Sequence, residues 1–411
     1  MHYAYRFRLK PTSEQRELLD YHRDTCRQLY NHALGEFRDI PQSTGTLTQR
    51  VRQVRDQLTD LKEWWGELND LYSTVAQAAV MQIEDSIKAL SELKERGYNV
   101  GSLNWKAPQD FRSFTYVQSG FEFDRKNGQP VLSLSKLADV PIVKHREIPD
   151  DVTVKEVTIK KEPTGEWFAC FAVDGKETPE KPADPELCVG IDVGILKYAH
   201  DTDGTAVESL DLSAERERLE RAQRDLSRKE HGSNNWEQQR KIVAQRHADL
   251  KRKRRDFLHK LSNYYAREYD LVAVEDLDTK GLVELPGNSQ NRASAAWGTF
   301  KRMLEYKCER EGTHFVAVDP KDTTKECASC GVKTEKPLWV REHACPACGF
   351  EADRDANAAI NILSRGFEQL GVGHSESTPV ETALPVDTPV SAKRVIEAGS
   401  PTLKEAATAA E

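Results

Sequence analysis

The chain has 411 residues, a formal net charge of −8 and eight cysteines. This length exceeds what one compact core needs, so we expect several domains, and the acidic balance taken alone argues against a nucleic-acid partner. No apolar run approaches the ~20 residues of a membrane span, and the first residues lack the apolar core of a signal peptide. The cysteines include four at metal-ligand spacing, which favours a reducing compartment. We therefore expect a cytoplasmic protein without a membrane partner.

The first part of the chain predicts a strand followed by a helical module. Residues 3-9 alternate as a strand with one basic face. Thr12 and Gln15 fit a capping box, and helical stripes of apolar residues recur up to position 97. We interpret the three large aromatic residues of this module as core packing. They are Trp64, Trp65 and Tyr72.

A second pattern begins after the helical module. Residues 111-173 contain short alternating runs separated by turn signals, such as the Glu-Pro-Thr-Gly turn at 162-165. These runs predict a small β-barrel, with residues 3-9 as an extra strand. Residues 174-186 are rich in proline and charge, which is typical of a linker.

The third region combines apolar strands with long charged helices. Between Glu237 and Lys260 there are nine Lys or Arg residues against three Asp or Glu residues. This excess predicts a strip that contacts nucleic-acid phosphates, although a solvated helix face is the alternative. The centre of this basic strip consists of Lys251, Arg252, Lys253, Arg254 and Arg255.

Two C-x2-C pairs predict a structural zinc site, because four thiolates close a tetrahedral shell. A glycine follows each pair, where a tight turn needs room. His343 lies nearby, and we interpret it as a solvated loop residue. The four predicted ligands are Cys327, Cys330, Cys345 and Cys348.

Three acids occupy positions that favour a second kind of metal site. Asp192 and Glu275 each end an apolar strand, and Asp355 opens a late helix. Together they are suited to two magnesium ions about 4 Å apart, with manganese as an alternative and with Asp192 bridging both ions. For each acid alone, a turn or cap role is the competing interpretation. Asp353 is the alternative third acid.

In this order, the motifs resemble the TnpB (OrfB) family of insertion-sequence proteins, which are similar to type V CRISPR effectors. The resemblance covers residues 3-370 and rests on segments such as GIDVGILKYA, LVAVEDLDTKGL, the cysteine pairs and DRDANAAINI. It implies a multidomain α+β protein with a β-barrel wedge domain at 1-10 and 98-175, a helical recognition domain at 11-97, an RNase H-like RuvC nuclease domain at 187-320 and 350-370, and an inserted zinc ribbon at 321-349. Composition adds a linker at 176-186 and a disordered tail at 371-411, where large apolar residues are too few to form a core.

The resemblance also implies a function. Family members bind a guide RNA from the transposon end and cut matching DNA beside a short transposon-associated motif. The family's catalytic acids fall on Asp192, Glu275 and Asp355, and its zinc ligands fall on the four cysteines. The alternatives are an accessory nucleic-acid-binding regulator of transposition and a strand-transferring transposase. We expect a monomer or weak dimer in a prokaryote, and the acidic surplus suggests a halophilic archaeon, where salt screens charge.

Overall fold

The computed structural model describes residues 2–149, 152–174, 178–284, 295–337, 339–371 and 389–390. The chain divides into two compact units. The first unit comprises residues 1–176 and 232–245, and the second comprises residues 177–231 and 246–411.

The first unit is built on a seven-stranded antiparallel sheet. Its strands are β1 (His2–Leu9), β2 (Ser113–Val117), β3 (Phe121–Lys126), β4 (Gln129–Leu134), β5 (Ala138–Val143), β6 (Thr153–Lys161) and β7 (Trp167–Asp174). The order is β2-β6-β7-β1-β5-β4-β3. β1 pairs along its whole length with β7 but contacts β5 only through Arg8 and Leu9. The sheet therefore splays at this point, and its edge strands do not pair with each other in the described residues, so the predicted barrel is a half-barrel.

Four helices accompany this sheet; the first and fourth contact strand β2, the second contacts both of these helices, and the third contacts the second. They are α1 (Ser13–Asp39), α2 (Leu47–Asp56), α3 (Leu58–Trp64) and α4 (Ser73–Glu95). The predicted capping box is confirmed, because the Thr12 side chain accepts from the Gln15 amide and the Gln15 side chain accepts from the Thr12 amide. The helices and the sheet share one hydrophobic core, so the predicted recognition and wedge regions fold as a single unit.

One prediction for this core is wrong. Trp64 is the last residue of α3 and is 68 % exposed. Trp65 and Tyr72 do pack against the core as partly buried side chains. The buried face of α3 consists of Leu58 and Leu61, and the helix ends at Trp64, whose ring stays in solvent.

The second unit contains a six-stranded sheet between two helical layers. Its strands are β8 (Cys188–Val193), β9 (Lys197–Asp201), β10 (Ala206–Glu208), β11 (Leu271–Glu275) and β12 (His314–Val318), with β13 (Glu342–Ala344) and β14 (Glu351–Asp353) forming a separate hairpin and β15 (Pro389–Val390) at the sheet edge. The order is β12-β11-β8-β9-β10-β15. β11 runs parallel to both β8 and β12, so the carboxyl ends of these three strands meet at one edge.

The helices are α5 (Ser213–Ser227), α6 (Asn234–Glu268), α7 (Thr279–Glu284), α8 (Trp297–Glu311) and α9 (Arg354–Leu370). α6 spans the division between the units. Val189 and Ile191 of β8 pack with buried side chains of α6 and α8. Because strand side chains alternate, Gly190 and Asp192 face the opposite layer, where α9 lies.

Two further predictions concern the C-terminal tail and the absence of membrane-spanning helices. Pro389 and Val390 form a strand parallel to β10, which departs from the predicted disorder of 371-411, while the tail from 372 is otherwise outside the described residues. In the described part of the chain, no helix combines the length and apolarity needed to cross a bilayer.

Asp201, at the end of β9, is a buried acid that should make stability depend on pH. It is 1 % exposed and accepts hydrogen bonds from the Thr205 amide (2.8 Å) and the Tyr265 hydroxyl (3.0 Å). Burial raises the pKa of Asp201 from 3.8 to about 7. Between pH 3.8 and 7 the carboxyl is ionised in the unfolded chain but protonated in the folded chain. The stability of the fold therefore decreases as the pH rises through this window.

We therefore expect Asp201→Asn to stabilise the second unit at about pH 8 and to have little effect near pH 4. Asparagine keeps the acceptor for Thr205 and carries no charge. The upper limit of the gain is about 4 kcal/mol, from ~1.4 kcal/mol per pKa unit. Thermal melting of both proteins at both pH values measures it. An equal change in melting temperature at the two pH values would contradict this assignment.

Candidate functional site

Two of the predicted acids lie side by side at the edge of the second unit's sheet. Gly190 pairs with Ala273, and Ile191 pairs with Val274, in the parallel register of β8 and β11. The next step along both strands brings Asp192 beside Glu275. The sequence explains this adjacency locally, because each of these two parallel strands is an apolar run that is followed by an acid.

The third acid comes from α9. A Cβ atom at Gly190 would lie 2.2 Å from the carbonyl oxygen of Ala359, so only glycine allows the helix to approach β8 so closely. Asp355 lies four residues before Ala359, which is one helical turn, in the first turn of α9. The close contact at Gly190 therefore brings the start of α9 toward the strand that carries Asp192.

The three acids influence each other electrostatically. Burial, followed by the charges of Glu275 and Asp355, raises the pKa of Asp192 well above its usual range. Burial also raises the pKa of Glu275 and that of Asp355. Partly buried carboxylates that disfavour each other's ionisation are stabilised by a cation.

Nearby groups hold two of these acids in place. Arg341 forms an ion pair with Asp355, and its charge opposes the rise in the pKa of both Asp355 and Asp192. The Thr323 hydroxyl donates to Glu275 at 2.5 Å. Sequence reasoning missed Arg341 and Thr323, because neither belongs to a motif whose spacing points to the acids.

Asp353, the alternative third acid, has a different role. It is the N-cap of α9, and its Oδ1 accepts from the amides of Asp355 (2.8 Å) and Ala356 (3.3 Å). Both lone-pair directions of that oxygen serve the helix end. This arrangement favours Asp355 over Asp353 as the acid that faces the strands.

His200 is a further group that sequence reasoning missed. It is opposite Asp192 in the antiparallel register of β8 and β9, and it is 8 % exposed. Its Nδ1 atom is buried and has no hydrogen-bond partner in the described residues. An unpartnered buried nitrogen opposite Asp192 fits a polar group or cation that binds there. The donor set, three carboxylates, suits a hard cation such as Mg²⁺.

The four cysteines form a second cluster. Their sulfur atoms all lie within 4.8 Å of one another, and this is the only such group of His, Cys, Asp or Glu ligand atoms in the described residues. Cys327 and Cys348 are 3.6 Å apart, and Cys330 and Cys345 are 3.5 Å apart. Zn–S bonds of about 2.3 Å place the sulfurs of a tetrahedral site about 3.8 Å apart. The cluster therefore fits one zinc ion.

The backbone around these cysteines is shaped for ligand binding. Gly331 and Gly349 have φ values of 75° and 76°, as expected for the tight turn after each pair. Backbone N–H groups of Cys348 and Ala347 lower the pKa of Cys345, which favours the thiolate that metals bind.

The histidine near the cysteines is not solvated, so that prediction is wrong. His343 is 1 % exposed, and its Nδ1 lies 2.7 Å from Lys336 Nζ. It belongs to β13, whose pairing with β14 covers it.

Two asparagines join α9 to the first cysteine turn. Asn357 donates to the carbonyl of Glu326 (2.7 Å) and accepts from the amide of Ala328 (3.0 Å). Asn361, one turn later, donates to the carbonyls of Thr323 (2.8 Å) and Glu326 (2.9 Å). The helix that carries Asp355 and the cysteine ribbon are thus one connected structure.

The predicted basic strip lies on α6, mostly exposed. Lys251, Arg252, Lys253 and Arg255 are exposed, but Arg254 is half-buried, and burial lowers its pKa. Lys253 pairs with Glu215. Four of the five residues that we predict to contact nucleic acid are therefore exposed.

The first unit has a second basic feature, which sequence reasoning missed. A cleft of about 910 Å³ is lined by eight basic side chains and three acidic ones. The basic residues come from five separate segments, so no local run signals them. They are Arg8, Lys10, Arg16, Arg23, Arg112, Lys161, Arg240 and Lys241.

Comparison with known proteins connects these features. Three family models match: "Helix-turn-helix domain" at residues 1–45, "Probable transposase" at 170–285 and "Cas12f1-like, TNB domain" at 297–362. The last of these contains the cysteine cluster and Asp355.

Whole-chain relatives agree with the models. A Streptomyces pristinaespiralis protein named "Putative RNA-guided DNA endonuclease" is 33 % identical, covering 90 % of each chain. The Escherichia coli K12 protein "Putative RNA-guided DNA endonuclease InsQ" is 28 % identical, covering 90 % of this chain and 94 % of the relative. The Cas12f1 chain of a complex with guide RNA and target DNA shares the fold, with a TM-score of 0.57, 15 % identity, and coverage of 85 % of this chain and 83 % of that one. The chain belongs to the TnpB (OrfB) family of RNA-guided DNA endonucleases.

Proposed function

We propose that this protein is a transposon-encoded, RNA-guided DNA endonuclease that hydrolyses phosphodiester bonds with divalent metal at Asp192, Glu275 and Asp355. The observation that carries the proposal is the convergence of three partly buried acids from β8, β11 and α9, each of which has a raised pKa. Such a cluster is costly unless a cation binds it. We assign it to a RuvC-type site in an RNase H-like domain.

Each residue has a defined part in this site. Asp192, whose pKa responds to both other acids, would be the ligand that serves the whole centre. Thr323 fixes the Glu275 carboxylate through its hydroxyl. Arg341 neutralises Asp355, so it must release this carboxylate, or share it, when a cation binds. When bound, two Mg²⁺ ions, or Mn²⁺ ions, would supply the Lewis acid that activates water and stabilises the leaving oxygen.

The cysteine cluster has a structural part. All four ligand positions of a tetrahedral ion would be filled by protein, which leaves no open position for chemistry. We propose one Zn²⁺ ion here. Through Asn357 and Asn361, the folded ribbon supports the start of α9 and the loop that holds Thr323.

Sequence specificity would come from base pairing with the guide, while the protein contacts the phosphate backbone. We assign these contacts to the exposed part of the basic strip and to the basic cleft of the first unit. Such local clusters explain how a chain with a net charge of −8 holds nucleic acid. We place the reaction in a prokaryotic cytoplasm, and the high-salt habitat stays a prediction.

The test is to purify the protein with its bound RNA, sequence that RNA, and incubate the complex with DNA that matches it. We expect cleavage of matching DNA with Mg²⁺, and no cleavage with EDTA or with unmatched DNA. Bound RNA without cleavage would indicate a regulator of transposition. Joined DNA strands would indicate a transposase.

A further inference from the structure

The ribbon presents a large aromatic side chain to solvent. Trp339 is 81 % exposed, which is unusual for an indole, because burying it would remove a large apolar surface from water. Trp339 and its described neighbours Pro337 and Val340 belong to a turn, in which the Val340 amide donates to the Pro337 carbonyl (3.2 Å). The exposed ring is therefore carried by a defined turn.

This turn is fastened to the start of α9. Arg354 is 5 % exposed, and its Nη1 donates to the carbonyls of Pro337 (2.8 Å) and Val340 (3.4 Å). Its amide donates to the carbonyl of Arg341 (2.6 Å). A fixed turn loses little conformational entropy when a ligand binds to it. The same arginine directly precedes Asp355, so the turn and the acid share one anchor.

The turn also lies beside the carboxylate centre. Arg341 pairs with Asp355, and two residues of chain span at most about 7 Å between Trp339 and Arg341. The guanidinium of Arg341 therefore contacts an acid of the centre, and the backbone that carries the indole lies close to the backbone of Arg341. An aromatic face with an adjacent cation is the combination that binds single-stranded nucleic acid, because bases stack on the ring and the cation attracts phosphate.

We propose that Trp339 is a stacking platform for an unpaired base of the DNA strand that reaches Asp192, Glu275 and Asp355. This inference rests on the proposed function, since guide pairing displaces one DNA strand and leaves its bases unpaired. Stacking is tolerant of sequence, as a nuclease guided by RNA requires. Trp339 is a positioning residue, which orients the strand so that a phosphodiester meets the acids.

The test measures binding without cleavage. The RNA-bound protein, in Ca²⁺ without Mg²⁺, is titrated with a labelled single-stranded DNA of about ten nucleotides and with an abasic strand of equal length. The abasic strand has the same phosphates but no bases. Trp339→Ala should weaken binding of the first strand by about 5- to 150-fold, the range of one stacked base, and should leave binding of the abasic strand unchanged. Trp339→Phe should retain most of the affinity.

Trp64→Ala is the matched control, because Trp64 is 68 % exposed and lies in the first unit. It should have no effect on either strand. Zinc content equal to that of the wild type shows that the Trp339 variants keep the ribbon folded.

The proposal fails if Trp339→Ala binds the base-bearing strand normally, or weakens both strands equally. It also fails if Trp339→Ala abolishes binding of another protein and leaves DNA binding unchanged. The wild-type protein could fail to cut DNA while Trp339→Ala still abolishes base-dependent binding. This result would contradict the proposed nuclease activity and support the stacking role of Trp339.

Discussion

Asp192→Ala is expected to reduce cleavage of guide-matched DNA by at least about 10³-fold, equivalent to about 4 kcal/mol of lost transition-state stabilisation. Asp192 is the acid whose pKa responds to both Glu275 and Asp355, so its loss would remove the ligand that we propose to be common to the whole centre. The measurement is the single-turnover cleavage rate of the RNA-bound protein at saturating Mg²⁺. Bound RNA and zinc content should be unchanged. Cleavage at the wild-type rate would remove these acids from the mechanism.

A matched pair of variants separates the two candidates for the third acid. Asp355→Asn should approach the loss caused by Asp192→Ala, because an amide is a poor ligand for a hard cation. Asp353→Asn should cut at close to the wild-type rate, since asparagine is an equally good N-cap and keeps an oxygen for the amides of Asp355 and Ala356. The reverse result would transfer the catalytic role to Asp353.

Cys345→Ser is expected to remove most of the zinc and nearly all of the cleavage activity. The binding free energy of a structural zinc, about 10–16 kcal/mol in small zinc-binding peptides, contributes directly to folding. Without it, the contacts of Asn357 and Asn361 lose a folded partner, and the Trp339 turn and Arg341 lose their support. Zinc per chain, together with hydrogen exchange across residues 321–349, measures the effect.

Cys170→Ser provides the control for removing a thiol elsewhere. Cys170 lies in β7 of the first unit, outside the cysteine cluster. This variant should keep its zinc and its activity. A Cys345→Ser protein with full zinc content and full activity would show that the cluster is not the metal site.

The sequence predicted the strands that carry Asp192 and Glu275, because an apolar run that ends on an acid is a local signal. Their adjacency followed only from the parallel register of β8 and β11, which depends on the crossover between them. The start of a predicted helix pointed to Asp355, and the resemblance to a family favoured it over Asp353. The structure separates their surroundings through the N-cap hydrogen bonds.

The features that sequence reasoning missed or mistook share a physical cause. His343 is a buried residue of β13. This strand has three residues, which are too few to show a periodicity in the sequence. Trp64 is exposed because α3 ends at that residue. Arg341 reaches Asp355 only through the ribbon turn. In each case a tertiary contact or an element boundary decides the environment, and propensity does not encode either.

Gly190 changes how inactive copies of such a gene should be recognised. Transposon-encoded genes accumulate substitutions, and a search for lost acids would count this chain as intact. Any side chain at position 190 would collide with the backbone of α9 at Ala359, shift that helix and separate Asp355 from the strand acids. A copy with all three carboxylates and an alanine at 190 would therefore be a silent pseudogene, and the glycine should be examined together with the acids.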